Sequence, residues 1–324
     1  MHYWADAIPA FILLQLAIIV ESQEELVSVI VLFQHGARAP LLQFSDDKMK
    51  AKFPNGLGEL TAEGIRGSFE LGKYLQNRYV TNTNFLRSPL LPSQVYFRSM
   101  SINRCLMSAL AVGSAMFATT KPAMSAVAVY SYEQDEELLD YPKQCSYVAS
   151  RLKQKCNVSP PPRKGPLHEA FLYDCMGLKS SLFNANGSFA KAEAMITETL
   201  REQRQEHDAK GHIKKKKFTA YSVEEWLMQA FLSAIGAADK VLGDKIPDYN
   251  SMIIVELKKT PDWSVQVFYK KDRNQGAVDI TQYVRGCKSS PCPYEFFLWC
   301  CDDYITEDVS KACAEEYREN QYNH

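Results

Sequence analysis

Residues 27–40 read VSVIVLFQHGARAP and form the most informative segment of the chain. Its first eight residues are mostly apolar and rich in β-branched side chains, which is typical of a strand buried on both faces in a parallel sheet. His35 and Arg38 follow directly, beside Gly36, whose missing side chain lets the backbone approach a ligand. Because open α/β sheets bind ligands at the carboxyl ends of their strands, the loop HGARAP predicts a binding site, although a lone histidine is more often structural.

Strand and helix patterns alternate along the rest of the chain. Apolar positions predict a helix, a strand, a helix and a strand over residues 62–79, 94–98, 102–117 and 126–132. The sheet pattern resumes later, with a strand, a helix and two strands near residues 216–221, 223–238, 251–257 and 264–270. This order predicts a doubly wound α/β fold with a mainly parallel sheet flanked by helices.

The middle of the chain has a different composition. Residues 134–210 are rich in charge, contain three consecutive prolines from Pro160, and show helical but no strand patterning. We therefore expect a smaller helical insertion, or cap, over an α/β domain built from residues 23–133 and 211–324.

The N-terminus carries an apolar run over residues 8–20 that is too short to span a bilayer. Its length is typical of a signal peptide, and we expect cleavage after Ser22, so that residues 1–22 are removed. The alternative is a buried first strand. With a signal peptide and no membrane anchor, the mature protein is expected to be extracellular or in the lysosomal lumen.

Composition excludes several classes of protein. The 324 residues include 37 Lys and Arg against 38 Asp and Glu, so no basic excess points to a nucleic-acid partner. Nine cysteines without paired zinc-ligand spacing predict disulfide bonds in an oxidising compartment rather than a metal site. Sequons at Asn157 and Asn186 predict a glycoprotein, with chance tripeptides as the alternative.

A second segment repeats the geometry of the first. Residues 96–104 read YFRSMSINR, in which a strand ends, Arg98 follows and a helix begins. Arg38 and Arg98 would then lie at neighbouring strand ends, where two guanidinium groups can hold an anion by paired hydrogen bonds. Either arginine alone would also suit a surface salt bridge.

These motifs resemble those of histidine acid phosphatases, the branch of the histidine phosphatase superfamily related to prostatic and lysosomal acid phosphatases. Residues 34–40 are similar to its signature R-H-G-x-R-x-P, and residues 98–104 to its block R-S-T-D-x-D-R. Further similar blocks are residues 56–64, residues 71–75, Gly286-Cys287 and Cys292-Pro293. The resemblance covers nearly the whole mature chain in the family's order.

The resemblance implies a two-step hydrolysis of a small phosphomonoester or a phosphorylated protein, without metal or cofactor. His35 would form a phosphohistidine, and Arg38 and Arg98 would hold the phosphoryl oxygens. It also implies disulfides between Cys145 and Cys313 and between Cys287 and Cys292. Members of the family often form dimers, but the sequence leaves the oligomeric state open.

Three positions depart from the family pattern. Gln34 replaces the first signature arginine, and residues 221–225, YSVEE, stand where the family has Y-S-A-H-D. We expect Gln34 and Glu224 in the substrate pocket and Glu225 as the proton donor. Alternatively, Ser222 and Glu225 form a helix capping box. A His207-Asp208 pair exists elsewhere, but no buried strand precedes it, and we interpret it as unrelated to the site.

Two functions are consistent with these departures. One is a secreted acid phosphatase that the three replacements weaken. The other is a catalytically inactive relative that serves as a binding or structural protein. A carboxylate about 4 Å from a phosphoryl oxygen costs on the order of 4 kcal/mol at an effective dielectric of about 20, so Glu224 is expected to oppose phosphate binding.

Overall fold

The computed structural model describes residues 24–41, 47–118, 126–132, 188–243 and 245–300. Several sequence predictions lie outside these residues. They are the signal peptide of residues 1–22, the sequons at Asn157 and Asn186, the Cys145–Cys313 disulfide and all of the predicted insertion before Ser188.

One mixed sheet organises the described residues. Its strands are β1 (Glu25–Gln34), β2 (Val95–Ser99), β3 (Val129–Tyr130), β4 (Phe218–Val223), β5 (Met252–Thr260), β6 (Asp262–Lys270), β7 (Val278–Asp279) and β8 (Cys292–Pro293). Their order is β3-β2-β4-β1-β5-β6-β7, and β8 pairs with β6. The strands β3, β2, β4 and β1 run parallel, whereas β5 to β8 extend the sheet by antiparallel pairing. The predicted α/β class is confirmed.

Helices cover both faces of this sheet. The α-helices are α1 (Asp47–Lys50), α2 (Ala62–Leu75), α3 (Asn103–Met116), α4 (Ser188–Lys210), α5 (Glu225–Ala234), α6 (Ala238–Val241) and α7 (Tyr294–Leu298). A π-helical segment, Gln76–Asn82, continues α2, and 3-10 turns form at Pro92–Gln94 and Thr281–Tyr283.

Strand β1 supplies side chains to two separate hydrophobic cores because neighbouring strand residues point to opposite faces. Val31 and Phe33 pack with residues of α2 and α3 on one face. Ile30 and Leu32 pack with residues of α4 and α5 on the other. This burial on both faces explains why the strand is almost continuously apolar, as a central strand of a doubly wound sheet must be.

The predicted capping box is wrong. Strand β4 continues through Val223, so Ser222 is a strand residue whose hydroxyl donates to the carbonyl of Cys105 at 2.8 Å. Glu224 is the N-cap of α5, and its side chain makes no capping hydrogen bond. Pairing of β4 with β1 and β2 prevails over the local preference for a helix cap, and both glutamates are thereby placed at the carboxyl end of the strand.

Two further features concern the rest of the described chain. A disulfide joins Cys287 and Cys292, the pair that the resemblance implies. Among the described residues, every helix is too short or too polar to cross a bilayer.

Candidate active site

His35 is the first residue after β1 and is fully buried. Its backbone N–H donates to the carbonyl of Val223 at 3.2 Å, and its own carbonyl accepts from the N–H of Asn250 at 3.3 Å. The parallel strand β4 on one side and the segment before β5 on the other therefore hold the histidine at the carboxyl end of β1.

The imidazole of His35 has its two nitrogens in different environments. Nδ1 lies 2.8 Å from the carbonyl oxygen of Gly36, which can only accept, so Nδ1 carries the hydrogen. Nε2 then carries the lone pair, and within the described chain it makes no hydrogen bond. The pKa of His35 is lowered to about 4, mainly by burial and also by the charges of Arg104 and Arg38, while the hydrogen bond to Gly36 and the charge of Glu224 act in the opposite direction. The ring is therefore neutral near neutral pH, and its nucleophilic nitrogen is available.

The loop after His35 is tied to two helices. The N–H of Gly36 donates to Ser108 Oγ at 3.0 Å, which fixes the loop against α3. The carbonyl of Ala37 accepts from the N–H and the hydroxyl of Thr61, at 2.9 and 3.0 Å. Thr61 is also the N-cap of α2, and its hydroxyl accepts from the N–H of Gly64 at 3.1 Å. One residue thus begins a helix and positions the loop.

Arg38 and Arg98 come from different elements. Arg38 lies in the loop, pairs by a β-bridge with Leu60, and donates to the carbonyl of Ala39 at 3.3 Å. Arg98 is buried near the end of β2, opposite Tyr221 of β4, and its guanidinium lies 4.4 Å from the ring centroid of Tyr132. Arg38 thus follows β1 and Arg98 lies near the end of β2, and these two strands flank β4.

Glu224 is neutralised by a residue that the sequence analysis did not assign to the site. Arg104 on α3 donates to Glu224 Oε1 through Nε at 3.0 Å and through Nη2. The same carboxylate oxygen lies 4.0 Å from His35 Nε2. The two partners, 120 residues apart in sequence, form an ion pair that compensates the negative charge of Glu224 in this structure.

Gln34 contacts Glu225 rather than the arginines. With one amide orientation, Gln34 Nε2 lies 3.3 Å from Glu225 Oε2. With the other, Nε2 donates to the carbonyls of Pro247 and Asp248 at 2.9 and 2.8 Å, and Oε1 faces Glu225 instead. Carbonyl oxygens accept only, so the second orientation satisfies the buried amide better.

Two further residues were missed and one pair was interpreted correctly from its context. Tyr249 places its ring centroid 5.6 Å from that of His35, although no local motif surrounds it. Arg104 could have been found, because it is the last residue of the YFRSMSINR segment. His207 lies 3.3 Å from Glu25 at the opposite end of β1, and Asp208 accepts from the Trp263 indole, so neither approaches His35.

Comparisons with known proteins find similar sequences for much of this chain. The family model described as "Histidine phosphatase superfamily (branch 2)" matches residues 25–157. The protein named "Putative acid phosphatase 1" of Caenorhabditis briggsae is 29% identical over 93% of this chain and 85% of its own length. Prostatic acid phosphatase of Bos taurus is 40% identical over 29% of this chain and 24% of its own.

Solved structures show the same fold at low sequence identity. The apo form of Hafnia alvei phytase superposes with a TM-score of 0.60 at 13% identity, covering 90% of this chain and 98% of its own. Phytase from Citrobacter braakii gives a TM-score of 0.54 at 16% identity, with 89% and 99% covered. With its motifs, its sheet and these relatives in agreement, the chain is similar to the histidine phosphatase superfamily (branch 2) over residues 25–157, and to a protein named as an acid phosphatase over 93% of its length.

Proposed function

We propose that this protein is a histidine-type acid phosphatase that hydrolyses phosphate monoesters through a phosphohistidine intermediate. The observation that carries the proposal is the state of His35. Its Nδ1 donates to the Gly36 carbonyl, which leaves the Nε2 lone pair directed away from the loop, with guanidinium groups nearby. A buried neutral imidazole among cations suits attack on a phosphate ester better than a structural role.

In the first step, His35 Nε2 attacks phosphorus, and a phosphorus–nitrogen bond forms as the phosphorus–oxygen bond of the ester breaks. Arg38 and Arg98 hold the phosphoryl oxygens and stabilise the charge that they carry in the transition state. The leaving alcohol takes a proton from Glu225. The products of this step are the free alcohol, a phosphohistidine and an ionised Glu225.

In the second step, water attacks the phosphorus atom and the phosphorus–nitrogen bond breaks. Glu225, now ionised, accepts the proton from the water and returns to its acid form. Inorganic phosphate leaves, and the His35 lone pair is restored. The cycle consumes one water and needs no redox partner.

The contact between Gln34 and Glu225 supports the donor role. With its amide nitrogen on the carbonyls of Pro247 and Asp248, Gln34 turns Oε1 toward Glu225 Oε2, 3.3 Å away. Two oxygens at that distance attract only when one of them carries a proton, so a carboxylic acid at Glu225 completes the hydrogen bond. Gln34 in this chain therefore favours the form of Glu225 that the first step requires.

The surroundings of the reaction are also proposals. We propose that residues 1–22 are a signal peptide, that the mature protein acts outside the cell or in the lysosomal lumen, and that residues 134–210 form a cap over the α/β domain. The substrate is a small phosphomonoester or a phosphorylated protein. The near-zero net charge gives no support for a nucleic-acid partner.

An inactive relative that only binds anions is the second candidate, and one observation favours it. Glu224 Oε1 lies 4.0 Å from His35 Nε2, on the side from which a phosphate would be attacked. A protein with this function would bind oxyanions through Arg38 and Arg98 and release no phosphate.

Turnover and trapping distinguish the two candidates. We expect the purified protein to hydrolyse p-nitrophenyl phosphate and, after an acid-free quench, to retain phosphate in an alkali-stable, acid-labile bond. His35→Ala should abolish both signals, whereas His212→Ala, at an exposed histidine outside the site, should leave both intact. Turnover that survives in His35→Ala would refute the mechanism, and vanadate binding without any turnover would favour the inactive relative.

A further inference from the structure

The ion pair between Arg104 and Glu224 lies inside the candidate site, yet the proposed mechanism does not use it. Glu224 Oε1 accepts from Arg104 Nε at 3.0 Å and from Nη2, and it faces His35 Nε2 across 4.0 Å. Glu224 Oε1 therefore lies between the Arg104 guanidinium, to which it is hydrogen-bonded, and the nucleophilic Nε2 of His35.

A phosphoryl group in position for attack has the same requirements. Its phosphorus must approach His35 Nε2 to about 3–3.5 Å, which brings phosphoryl oxygens into the volume that Glu224 Oε1 fills. Those oxygens are anionic and are repelled by a carboxylate, whereas a guanidinium attracts them. Arg104 is the cation already directed at this volume.

We propose that Arg104 is a third phosphoryl-binding cation of this site, and that an incoming phosphate binds by displacing the Glu224 carboxylate from it. The proposal rests on the proposed function, because it takes the direction of attack from His35 Nε2. It adds a residue that contacts the phosphoryl group and assigns to Glu224 the part of an internal competitor for the anion.

The position of Arg104 suits this exchange. Its backbone carbonyl accepts from Ser108 Oγ at 2.7 Å, and Ser108 in turn accepts from the N–H of Gly36, so α3 and the His35 loop are joined. The guanidinium is largely buried, with 13% of its side chain exposed, while Glu224 is 19% exposed. The exchange requires the carboxylate to move toward solvent while the guanidinium, on α3, stays in place.

Other charged groups also act on Arg104, and they do not replace the proposed contact. Burial opposes its charge, but Glu224 first and Glu225 to a smaller extent raise the pKa of the guanidinium. Arg104 also lowers the pKa of His35 more than Arg38 does, which indicates that Arg104 exerts the stronger field at the imidazole. The arginine is thus permanently charged and closely coupled to the nucleophile.

The affinity of the full chain for sulfate and for orthovanadate tests whether an anion displaces Glu224 from Arg104. Competition assays and calorimetry measure this affinity, all at a single pH. Glu224→Gln removes the internal competitor and keeps the shape of the side chain. We expect this variant to bind both anions at least about tenfold more tightly than the natural protein. Glu198→Gln removes a carboxylate from the exposed ion pair with Arg201 on α4 and should leave the affinity unchanged.

The decisive comparison is made within the Glu224→Gln background. If Arg104 contacts the anion, adding Arg104→Gln should weaken binding at least about tenfold, and adding Arg104→Lys, which keeps the charge, should weaken it less. If Arg104 only positions Glu224, the double variants should bind anions as tightly as Glu224→Gln alone, and the proposal is overturned. Unchanged affinity in Glu224→Gln would also overturn it, even if Arg104→Gln does not fold.

Failure of this inference differs from failure of the proposed function. Suppose that phosphate release depends on His35 but that substitutions at Glu224 and Arg104 leave the affinity for anions unchanged. The proposed mechanism would then be retained, and only the phosphate-binding role of Arg104 would be rejected. Turnover that persists in His35→Ala would remove the mechanism, whatever the anion affinities are.

Discussion

Gly36 and Gly64 are in direct backbone contact at the candidate site. A Cβ atom built on Gly36 would lie 2.6 Å from the carbonyl carbon of Gly64, and one built on Gly64 would lie 2.7 Å from the backbone nitrogen of Ala37. No side chain fits between the His35 loop and the start of α2. The glycine of the HGARAP loop is therefore required by close packing against a helix, in addition to any approach of a ligand.

This contact predicts the effect of adding a methyl group. Gly36→Ala must push the loop away from α2, and we expect the free energy of unfolding to fall by about 1–3 kcal/mol. Gly276→Ala is the matched control, because a Cβ there meets nothing within 4 Å, and its effect should stay within about 0.5 kcal/mol. Urea unfolding measures the free energy of unfolding of both variants. Equal values would show that the His35 loop can move away from α2 without loss of stability.

Burial of His35 predicts acid-sensitive stability. Its pKa is about 4 in the folded protein against 6.5 in an exposed histidine, so the unfolded chain binds this proton first as the pH falls. The contribution of His35 to stability is therefore present above about pH 6.5 and is lost as the pH drops toward 4. Between pH 7 and pH 4.5 the loss should be about 2–3 kcal/mol.

His35→Gln tests this dependence by unfolding at both pH values. The variant should lose less stability on acidification than the natural protein by that amount, since all other groups are shared. His212→Gln, at an exposed histidine, should keep the natural dependence. An unchanged pH dependence in His35→Gln would mean that the imidazole is not the group responsible.

The parts of the site that could be predicted are those encoded locally. His35, Arg38 and Arg98 follow short strands whose patterns are visible in single segments, and the α/β class follows from their alternation. The antiparallel pairing of β5 with β6 could also have been predicted. Pro261 alone separates these two strands, and so short a link allows only an antiparallel pair.

What could not be predicted depends on contacts between distant segments. The Arg104–Glu224 pair forms only because α3 and the end of β4 meet in the fold. Ser222 illustrates the opposite error, because its local sequence is a good helix cap, yet pairing with two strands keeps it in the sheet. The local preference for a helix cap is overridden wherever a buried strand stabilises the protein more than the cap would.

A buried charge cluster around Glu256 of β5, which pairs with Val29 in the middle of β1, predicts a large loss of stability. Glu256 is buried, and its Oε1 accepts from Arg78 Nη2 at 2.7 Å, from Arg78 Nε at 3.1 Å and from the Tyr79 hydroxyl at 2.7 Å. Arg78→Met should cost about 3 kcal/mol, because a buried carboxylate then loses its main partner.

Arg201→Met is the control for that cluster. Its ion pair with Glu198 is exposed, so the loss should be below about 1 kcal/mol in the same urea experiment. Adding Glu256→Gln to Arg78→Met removes a buried carboxylate that then has, among the described residues, only Lys258, at 3.4 Å, as its cationic partner, and should recover part of the stability. No recovery in the double variant would show that packing of the arginine, and not the charge, matters there.

The donor role of Glu225 predicts a dependence on the leaving group. Glu225→Gln should slow hydrolysis of an alkyl phosphate by about 10²–10⁴-fold, because an alkoxide leaves poorly without a proton. Hydrolysis of p-nitrophenyl phosphate should fall much less, since its phenolate leaves readily. A variant that loses both activities equally would place Glu225 in a structural role at the start of α5.

Replacing Gln34 by arginine provides the sharpest test of the Gln34–Glu225 contact. The resemblance alone suggests that Gln34→Arg restores a phosphate-binding cation and raises activity. The structure predicts the opposite, because Glu225 Oε2 lies 3.3 Å from the Gln34 amide and would pair with the guanidinium. An ion pair holds Glu225 in its carboxylate form and removes the proton donor of the first step. We expect kcat for an alkyl phosphate to fall at least about tenfold, with a smaller effect on p-nitrophenyl phosphate.

In the Glu225→Gln background the same change should cause no further loss for the alkyl substrate. Higher activity in the single variant would mean that this side chain reaches the phosphoryl group and that Glu225 is not its partner.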